Sequence, residues 1–135
     1  MSREIKFRAK RLNNNEFVIG YYLPMVYEYN HFIYLPLEYL NEHSRIEIDP
    51  KTLGQYTGLK DKNGKEIYEG DVVRIWADPK DYNGYKGHNY IGIVEWDEFI
   101  LGFILSDGHG LKDFEFIEIV GNIYENPELL NKEGE

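Results

Sequence analysis

Carboxylate side chains are concentrated in the middle of the chain, where Glu66, Glu69 and Asp71 lie within six residues. Paired carboxylates can exchange protons in acid–base catalysis or bind a divalent cation. The spacing places no histidine or nucleophile beside them. It therefore favours a turn in which Asp71 accepts hydrogen bonds from backbone N–H groups while the glutamates face water. We predict no catalytic residue and no metal ligand here.

The other segments that could do chemistry each lack a required feature. Ser106, Asp107 and His109 are neighbours on one turn, whereas a catalytic triad converges from separate elements. The segment 58–66 is not a phosphate-binding loop, because Glu66 stands where Ser or Thr must meet magnesium. The chain has no cysteine, which excludes a thiol nucleophile, and its four histidines share no metal-binding spacing. We expect a protein that is not an enzyme and has no cofactor.

Two turns surround the carboxylates. Asp and Asn side chains bond to nearby backbone, and Gly adopts positive φ at little cost, so residues 61–64 predict a tight turn. A second turn is predicted over residues 69–71. The predicted structural turn residues are Asp61, Asn63, Gly64, Gly70 and Asp71.

Short β-branched and aromatic stretches between turn residues predict a mainly β protein. We expect a small N-terminal β-sheet subdomain over residues 1–57. Residues 58–135 are expected to form an SH3-like antiparallel barrel that ends in a short helix. Within the barrel, Phe99 to Leu105 is expected to be a largely buried strand.

Near the N-terminus, Lys6, Arg8 and Lys10 alternate with apolar residues, which predicts a half-buried strand with a basic outer face.

The charge is uneven along the chain. The formal net charge is −9, and residues 95–135 contain eleven acidic residues against only Lys112 and Lys132. Such an acidic chain argues against a broad surface for phosphates, so we do not expect duplex DNA as a partner. The N-terminus has no apolar signal segment, and the longest apolar runs are seven residues, which predicts a cytoplasmic protein without membrane contact.

A polar, glycine-rich stretch over residues 78–90 predicts a long loop, and loops of this length are often functional. Its aromatic rings make it the first candidate for recognition, together with the two tryptophans in the flanking strands. The candidate recognition residues are Tyr82, Tyr85, His88, Tyr90, Trp76 and Trp96.

Three blocks in order resemble the YopX family. They read REIKFRA (residues 3–9), QYTGLKDKNGKEIYEGDVV (55–73, preceded by IEIDP over 46–50 and by Thr52) and IVGNIYENPELL (119–130). Lys10 departs from the pattern, since an aromatic residue often follows the Arg-Ala pair of the first block. The resemblance implies a small protein of phages and prophages of Gram-positive bacteria. It implies no activity and no catalytic residues.

Two hypotheses of function follow. The first is a non-enzymatic accessory protein that binds a host or phage protein through the acidic C-terminal third and the loop 78–90. The alternative is a nucleic-acid-binding small barrel that uses the basic N-terminal strand and the aromatic loop. Formation of a homo-oligomer is open under both.

Overall fold

The fold is mainly β, as predicted. The computed structural model describes residues 4–23, 30–35, 45–76, 89–106 and 116–131, with the side chains of Trp76, Asn89, Tyr90 and Asn131 left out. Within these ranges the strands are β1 (Phe7–Arg11), β2 (Phe17–Tyr22), β3 (His31–Tyr34), β4 (Arg45–Lys60), β5 (Glu66–Tyr68), β6 (Asp71–Trp76), β7 (Asn89–Asp97), β8 (Gly102–Leu105) and β9 (Phe116–Asn122). The helix α1 is one turn long, Glu128–Asn131.

The chain divides into two compact units, Met1–Gly58 (unit 1) and Leu59–Glu135 (unit 2). The strands form two antiparallel sheets, with orders β1-β2-β3-β4-β5 and β8-β7-β6-β9. No helix in the described part of the chain is both long and apolar enough to cross a membrane.

In unit 1 the strands β1 to β4 pair in a closed cycle. Strand β1 pairs with β2 and β4, and β3 also pairs with β2 and β4. Ala9, Val18, Ile33 and Ile48 form the buried core. The hairpin between β1 and β2 turns at Asn15, whose φ of +61° is a conformation that Asn tolerates.

The prediction of an exposed basic face on β1 is wrong at Lys10, which is only 5% exposed. The β1–β4 register shifts between Arg8 and Lys10, so the regular alternation of sides breaks at this point. The backbone N–H of Lys10 donates to Thr52 Oγ1 at 2.8 Å. Its Nζ lies 4.7 Å from the ring centre of Phe17. The charged side chain of Lys10, which the alternating pattern predicts to face solvent, is therefore buried.

In unit 2 the buried residues that form the core are Ile67, Val73, Ile75, Val94, Leu105 and Ile117. The pairing of β9 with β6 skips Val120, since Val72 pairs with Gly121 and Val73 with Ile119. The register shift is a β-bulge in β9. Strands β6 to β9 form a sheet of the open order β8-β7-β6-β9, so an SH3-like barrel is not confirmed.

The prediction of one buried strand from Phe99 to Leu105 is also wrong. Strand β8 begins only at Gly102, and residues 98–101 form a turn between β7 and β8. Leu105 is the fully buried residue of β8. The preceding apolar residues are held in a turn because Asp97 accepts hydrogen bonds from the backbone of Phe99 and Ile100.

Two turn glycines have backbone conformations that L residues rarely adopt. Gly64 has φ of +83° and Gly70 has φ of +89°. A Cβ on Gly64 would meet nothing within 4 Å, whereas a Cβ on Gly70 would lie 3.1 Å from Cε2 of Tyr124. Backbone strain thus acts at both glycines, with an added steric contact at Gly70.

We expect Gly64→Ala to lower the free energy of unfolding by about 1–2 kcal/mol, since positive φ crowds Cβ against the backbone. Gly70→Ala should cost more because of the Tyr124 contact. Gly102→Ala is the matched control: its Cβ would meet only Ile100, at 3.9 Å, and no positive φ is involved. Urea unfolding measures all three, and equal costs for Gly64→Ala and Gly102→Ala would contradict the role of positive φ.

Candidate functional site

The predicted turn at residues 61–64 is built around the buried carboxylate of Asp61. Its Oδ1 accepts the backbone N–H of Asn63 at 2.8 Å and of Lys65 at 2.9 Å. Its Oδ2 accepts the backbone N–H of Ile119, in β9, at 3.0 Å. Beside it the backbone N–H of Lys62 donates to the carbonyl of Ile117 at 2.8 Å. Asp61 therefore closes the turn and attaches it to β9.

Opposing effects act on the pKa of Asp61. Burial raises the pKa of this carboxyl, whereas the hydrogen bonds from Ile119, Lys65 and Asn63 and the positive charge of Lys65 lower it. The hydrogen bonds and the charge prevail, so the pKa lies below its ordinary value of 3.8. The ionised carboxylate is the form that the fold stabilises.

The second turn is closed by Asp71, which is buried and accepts the backbone N–H of Tyr68 at 2.8 Å. The Tyr68 hydroxyl donates to Glu66 Oε1 at 3.1 Å. Gly70 is fixed on both sides, because its N–H donates to the Val94 carbonyl and its carbonyl accepts from Ile123. In the described ranges, no three His, Asp or Glu side chains are grouped as a metal site would require.

The candidate recognition residues fall into three groups. Tyr82, Tyr85 and His88 lie outside the described residues. Trp76 and Tyr90 have described backbone only, with Trp76 paired to Asn89 and Ile75 paired to Tyr90. Trp96 is described in full: it is 39% exposed, and its ring lies edge-on to Phe103 with centroids 5.1 Å apart.

Beyond Trp96, the hairpin between β7 and β8 ends in three exposed apolar side chains. Phe99 is 98% exposed, Ile100 61% and Leu101 74%. We call Phe99, Ile100 and Leu101 the apolar tip. Trp96 pairs with Phe103, and Val94 pairs with Leu105 in the core, so an apolar path runs from the core to the tip. Contiguous exposed apolar residues are a common mark of an interaction surface.

The backbone of the apolar tip is held in place. Asp97 Oδ1 accepts the N–H of Phe99 at 2.7 Å and that of Ile100 at 3.3 Å. Leu101 has φ of +51°, a conformation that usually falls to Gly or Asn. Strain of this kind costs about 1–3 kcal/mol and is concentrated at functional sites. The chain thus keeps a large apolar side chain at a position where Gly or Asn would cause less backbone strain.

The charged residues within the described range 89–106, which carries the apolar tip, are all acidic. Glu95 and Glu98 are exposed and Asp97 is half-buried, while residues 89–106 contain no Lys or Arg. Such a surface is complementary in charge and polarity to an apolar pocket with a positive rim.

The sequence pattern does not indicate the apolar tip, because a run of apolar residues predicts a buried segment. A signal for it was present: Asp97 is a strong turn former, and four residues separate it from Gly102. Four-residue hairpin loops are common. The periodicity alone could not distinguish this loop from a buried strand.

The fold defines a mainly β protein with two antiparallel sheets and a single short helical turn among the described residues. The YopX family model, described as "YopX protein", matches residues 6–131. The chain therefore belongs to the YopX family. It is similar to the crystal structure of protein EF1440 from Enterococcus faecalis, with a TM-score of 0.56 and 26% identity over 96% of this chain and 99% of that one. A comparison with curated proteins gives no match.

The lowered pKa of Asp61 predicts a stability that depends on pH. A carboxyl with a lower pKa in the folded state than in the unfolded state stabilises the fold above the unfolded value of 3.8. This contribution is lost as the pH falls through the folded value. Asp61→Asn places an NH2 donor among three N–H donors, so we expect it to cost about 1–3 kcal/mol at pH 7. The cost should shrink below about pH 4. Chemical denaturation from neutral to acidic pH measures the difference, and a cost that is constant across this range would contradict the prediction.

The strain at Leu101 predicts a variant that is more stable than the natural chain. Because Asn tolerates positive φ and Leu101 is exposed, we expect Leu101→Asn to raise the free energy of unfolding by about 0.5–1 kcal/mol. Ile100→Asn is the matched control, since Ile100 is exposed in the same turn and has no positive φ. If both variants change the melting temperature equally, the strain at Leu101 is not the cause.

Proposed function

We propose that the chain is a non-enzymatic protein-binding module and that the apolar tip is its contact surface. The observation that carries the proposal is the combination of exposed apolar side chains with a fixed backbone at Phe99, Ile100 and Leu101. A rigid tip loses little conformational freedom on binding, so more of the contact energy appears as affinity. Phe99 is the expected anchor, because burial of one such side chain is worth about 1.5–3 kcal/mol.

The partner is a protein with an apolar pocket surrounded by Lys or Arg. Glu95, Asp97 and Glu98 would face that rim and accelerate association at low salt. The same three acids disfavour phosphate-bearing surfaces, both nucleic acid and anionic lipid. This charge pattern supports a protein partner and makes duplex DNA a poor one.

The nucleic-acid alternative has less support, because the cations of the N-terminal strand have neighbours within the chain. Lys10 is buried against Phe17. Lys6 Nζ lies 2.9 Å from Glu4 Oε1 and 5.0 Å from the ring centre of Tyr56. Arg8 lies over the Phe17 ring at 4.6 Å. These contacts leave a smaller basic surface than the sequence suggested.

The biological setting in our proposal rests on the resemblance of three sequence blocks of this chain to the YopX family. The protein is an accessory factor of a phage or prophage, and it acts in the cytoplasm of the bacterial host. Its partner is a host or phage protein. The loop 78–90 is a second recognition element in this proposal, and the apolar tip adds a surface that the sequence did not indicate.

The test compares the natural chain with the double variant Phe99→Ser, Ile100→Ser. Tagged protein is used to isolate binding proteins from phage-infected cells, and each retained protein is purified and titrated by calorimetry. We expect the double variant to lose at least about tenfold in affinity for the true partner, because two apolar side chains no longer bury. Both positions are exposed, so the melting temperature should hardly change.

Leu12→Ser is the matched control, since Leu12 is 57% exposed and lies in unit 1. It should bind the partner as the natural chain does. The proposal is overturned if the double variant retains full affinity for every protein that the natural chain binds. It is also overturned if the natural chain binds no protein at all.

A further inference from the structure

The tight turn at residues 61–64 contains the only asparagine of the described residues that precedes a glycine, Asn63 before Gly64. Both residues are exposed. The backbone nitrogen that follows an asparagine can attack the carbonyl carbon of its side chain, and glycine hinders this attack least because it has no Cβ. The space around Gly64 is open, since an added Cβ would meet nothing within 4 Å. The pair is thus a candidate site of covalent modification.

Two other asparagines of unit 2 are poorly suited to this chemistry. Asn126 precedes Pro127, whose nitrogen has no hydrogen to lose. Asn122 precedes the β-branched Ile123, and its side-chain Nδ2 donates to Glu125 Oε1 at 3.0 Å. The side-chain amide of Asn63, by contrast, makes no hydrogen bond with the described residues. Asn63 is therefore the best placed of the three.

The turn restrains the attacking nitrogen. The N–H of Gly64 donates to the backbone carbonyl of Asp61 at 3.0 Å. Asp61 Oδ1 accepts the N–H groups of Asn63 at 2.8 Å and of Lys65 at 2.9 Å. These hydrogen bonds fix the backbone on both sides of the Asn63–Gly64 peptide bond, whereas the attack requires the nitrogen to turn toward Cγ and to lose its proton. The reaction therefore proceeds from a locally opened turn.

We propose that Asn63 is a deamidation site whose rate is set by the turn around Asp61. The Gly64 nitrogen loses its proton and bonds to Cγ of Asn63, while the bond from Cγ to Nδ2 breaks and ammonia leaves. Water then opens the resulting succinimide ring at either of its two carbonyls. The products are an aspartate or an isoaspartate at position 63. The reaction needs water but no oxidant or cofactor, and the inference is independent of the apolar tip.

The isoaspartate product changes the turn most. It routes the main chain through the former side chain and lengthens it by one carbon atom, which moves the N–H groups of Gly64 and Lys65 away from Asp61. Both products also place a second negative charge near the Asp61 carboxylate, which disfavours its ionised form. Because Asp61 Oδ2 accepts the N–H of Ile119, a loosened turn is attached less firmly to β9. Deamidation thus lowers the stability of unit 2 as the chain ages.

The experiment follows position 63 by peptide mapping and mass spectrometry while the full chain is incubated in mildly alkaline buffer. The mapping separates position 63 from the second Asn–Gly pair of the sequence, at positions 83–84, which lies outside the described residues. We expect the folded chain to deamidate at position 63 at least about tenfold more slowly than the same chain unfolded in urea, because only the opened turn reacts. Asp61→Ala removes the acceptor of three backbone N–H groups and should accelerate the reaction in the folded chain roughly tenfold.

Two further variants are the controls. Asp49→Ala removes a carboxylate with a similar local role in unit 1, where Asp49 Oδ1 accepts the N–H of Lys51 at 3.0 Å. It should leave the rate at position 63 unchanged. Asn63→Asp reproduces one product without the longer main chain. The purified isoaspartate form should unfold at a lower urea concentration than both the natural chain and Asn63→Asp.

Other outcomes overturn the proposal. Position 63 is not a deamidation site if the folded chain keeps its asparagine there throughout the incubation. The turn does not set the rate if folded and unfolded chains react equally fast, or if Asp61→Ala reacts no faster than the natural chain. If Asp61→Ala loses its thermal transition, the natural chain in rising urea below its unfolding midpoint replaces this variant, and a rate that does not rise with urea again overturns the proposal.

Discussion

Unit 2 depends on the ionised carboxylate of Asp61. A buried charge is costly unless it is hydrogen-bonded, and three backbone N–H groups satisfy this one. One of the three, from Ile119, is 58 positions along the chain. The turn is therefore attached to β9, and β9 pairs with β6, which pairs with β7. Strand β7 carries the hairpin whose end is the apolar tip. A local electrostatic requirement thus supports the sheet that presents the candidate site.

The end of β9 shows how closely this arrangement is packed. The bulge at Val120 brings Gly121 against the C-terminal segment, where a Cβ would lie 2.6 Å from Asn126 Oδ1. That oxygen accepts the backbone N–H of Asn122 at 3.2 Å. Asn122 in turn accepts the N–H groups of Tyr124 and Glu125. The side-chain oxygens of these two asparagines accept hydrogen bonds from backbone N–H groups at the bulge and in the following turn. The chain therefore leaves the sheet with these backbone donors satisfied.

Sequence reasoning succeeded where the chemistry is local and failed where it depends on distant pairing. The mainly β class follows from residue type and nearest neighbours. The bond from Ile119 to Asp61 could not be found, because nothing in the sequence sets the register between segments so far apart. The alternating pattern predicts that Lys10 faces solvent, because it assumes regular strand pairing. The register shift between β1 and β4 breaks that regular pairing. Phe99 to Leu101 were assigned to the interior because apolar residues usually are, yet burial of apolar residues is only a tendency.

The apolar tip carries two separate costs in one turn, and folding explains neither. Exposure of Phe99, Ile100 and Leu101 forgoes the burial that stabilises apolar side chains elsewhere in unit 2. The positive φ of Leu101 adds strain that Asn or Gly would relieve. A turn under selection for stability alone would lose both features with single substitutions. A turn that must present a rigid apolar surface keeps both, because the side chains supply the contact and the fixed backbone limits the entropy lost on binding. The coincidence of both costs at Leu101 is the physical argument for the proposal that the hairpin binds a protein partner.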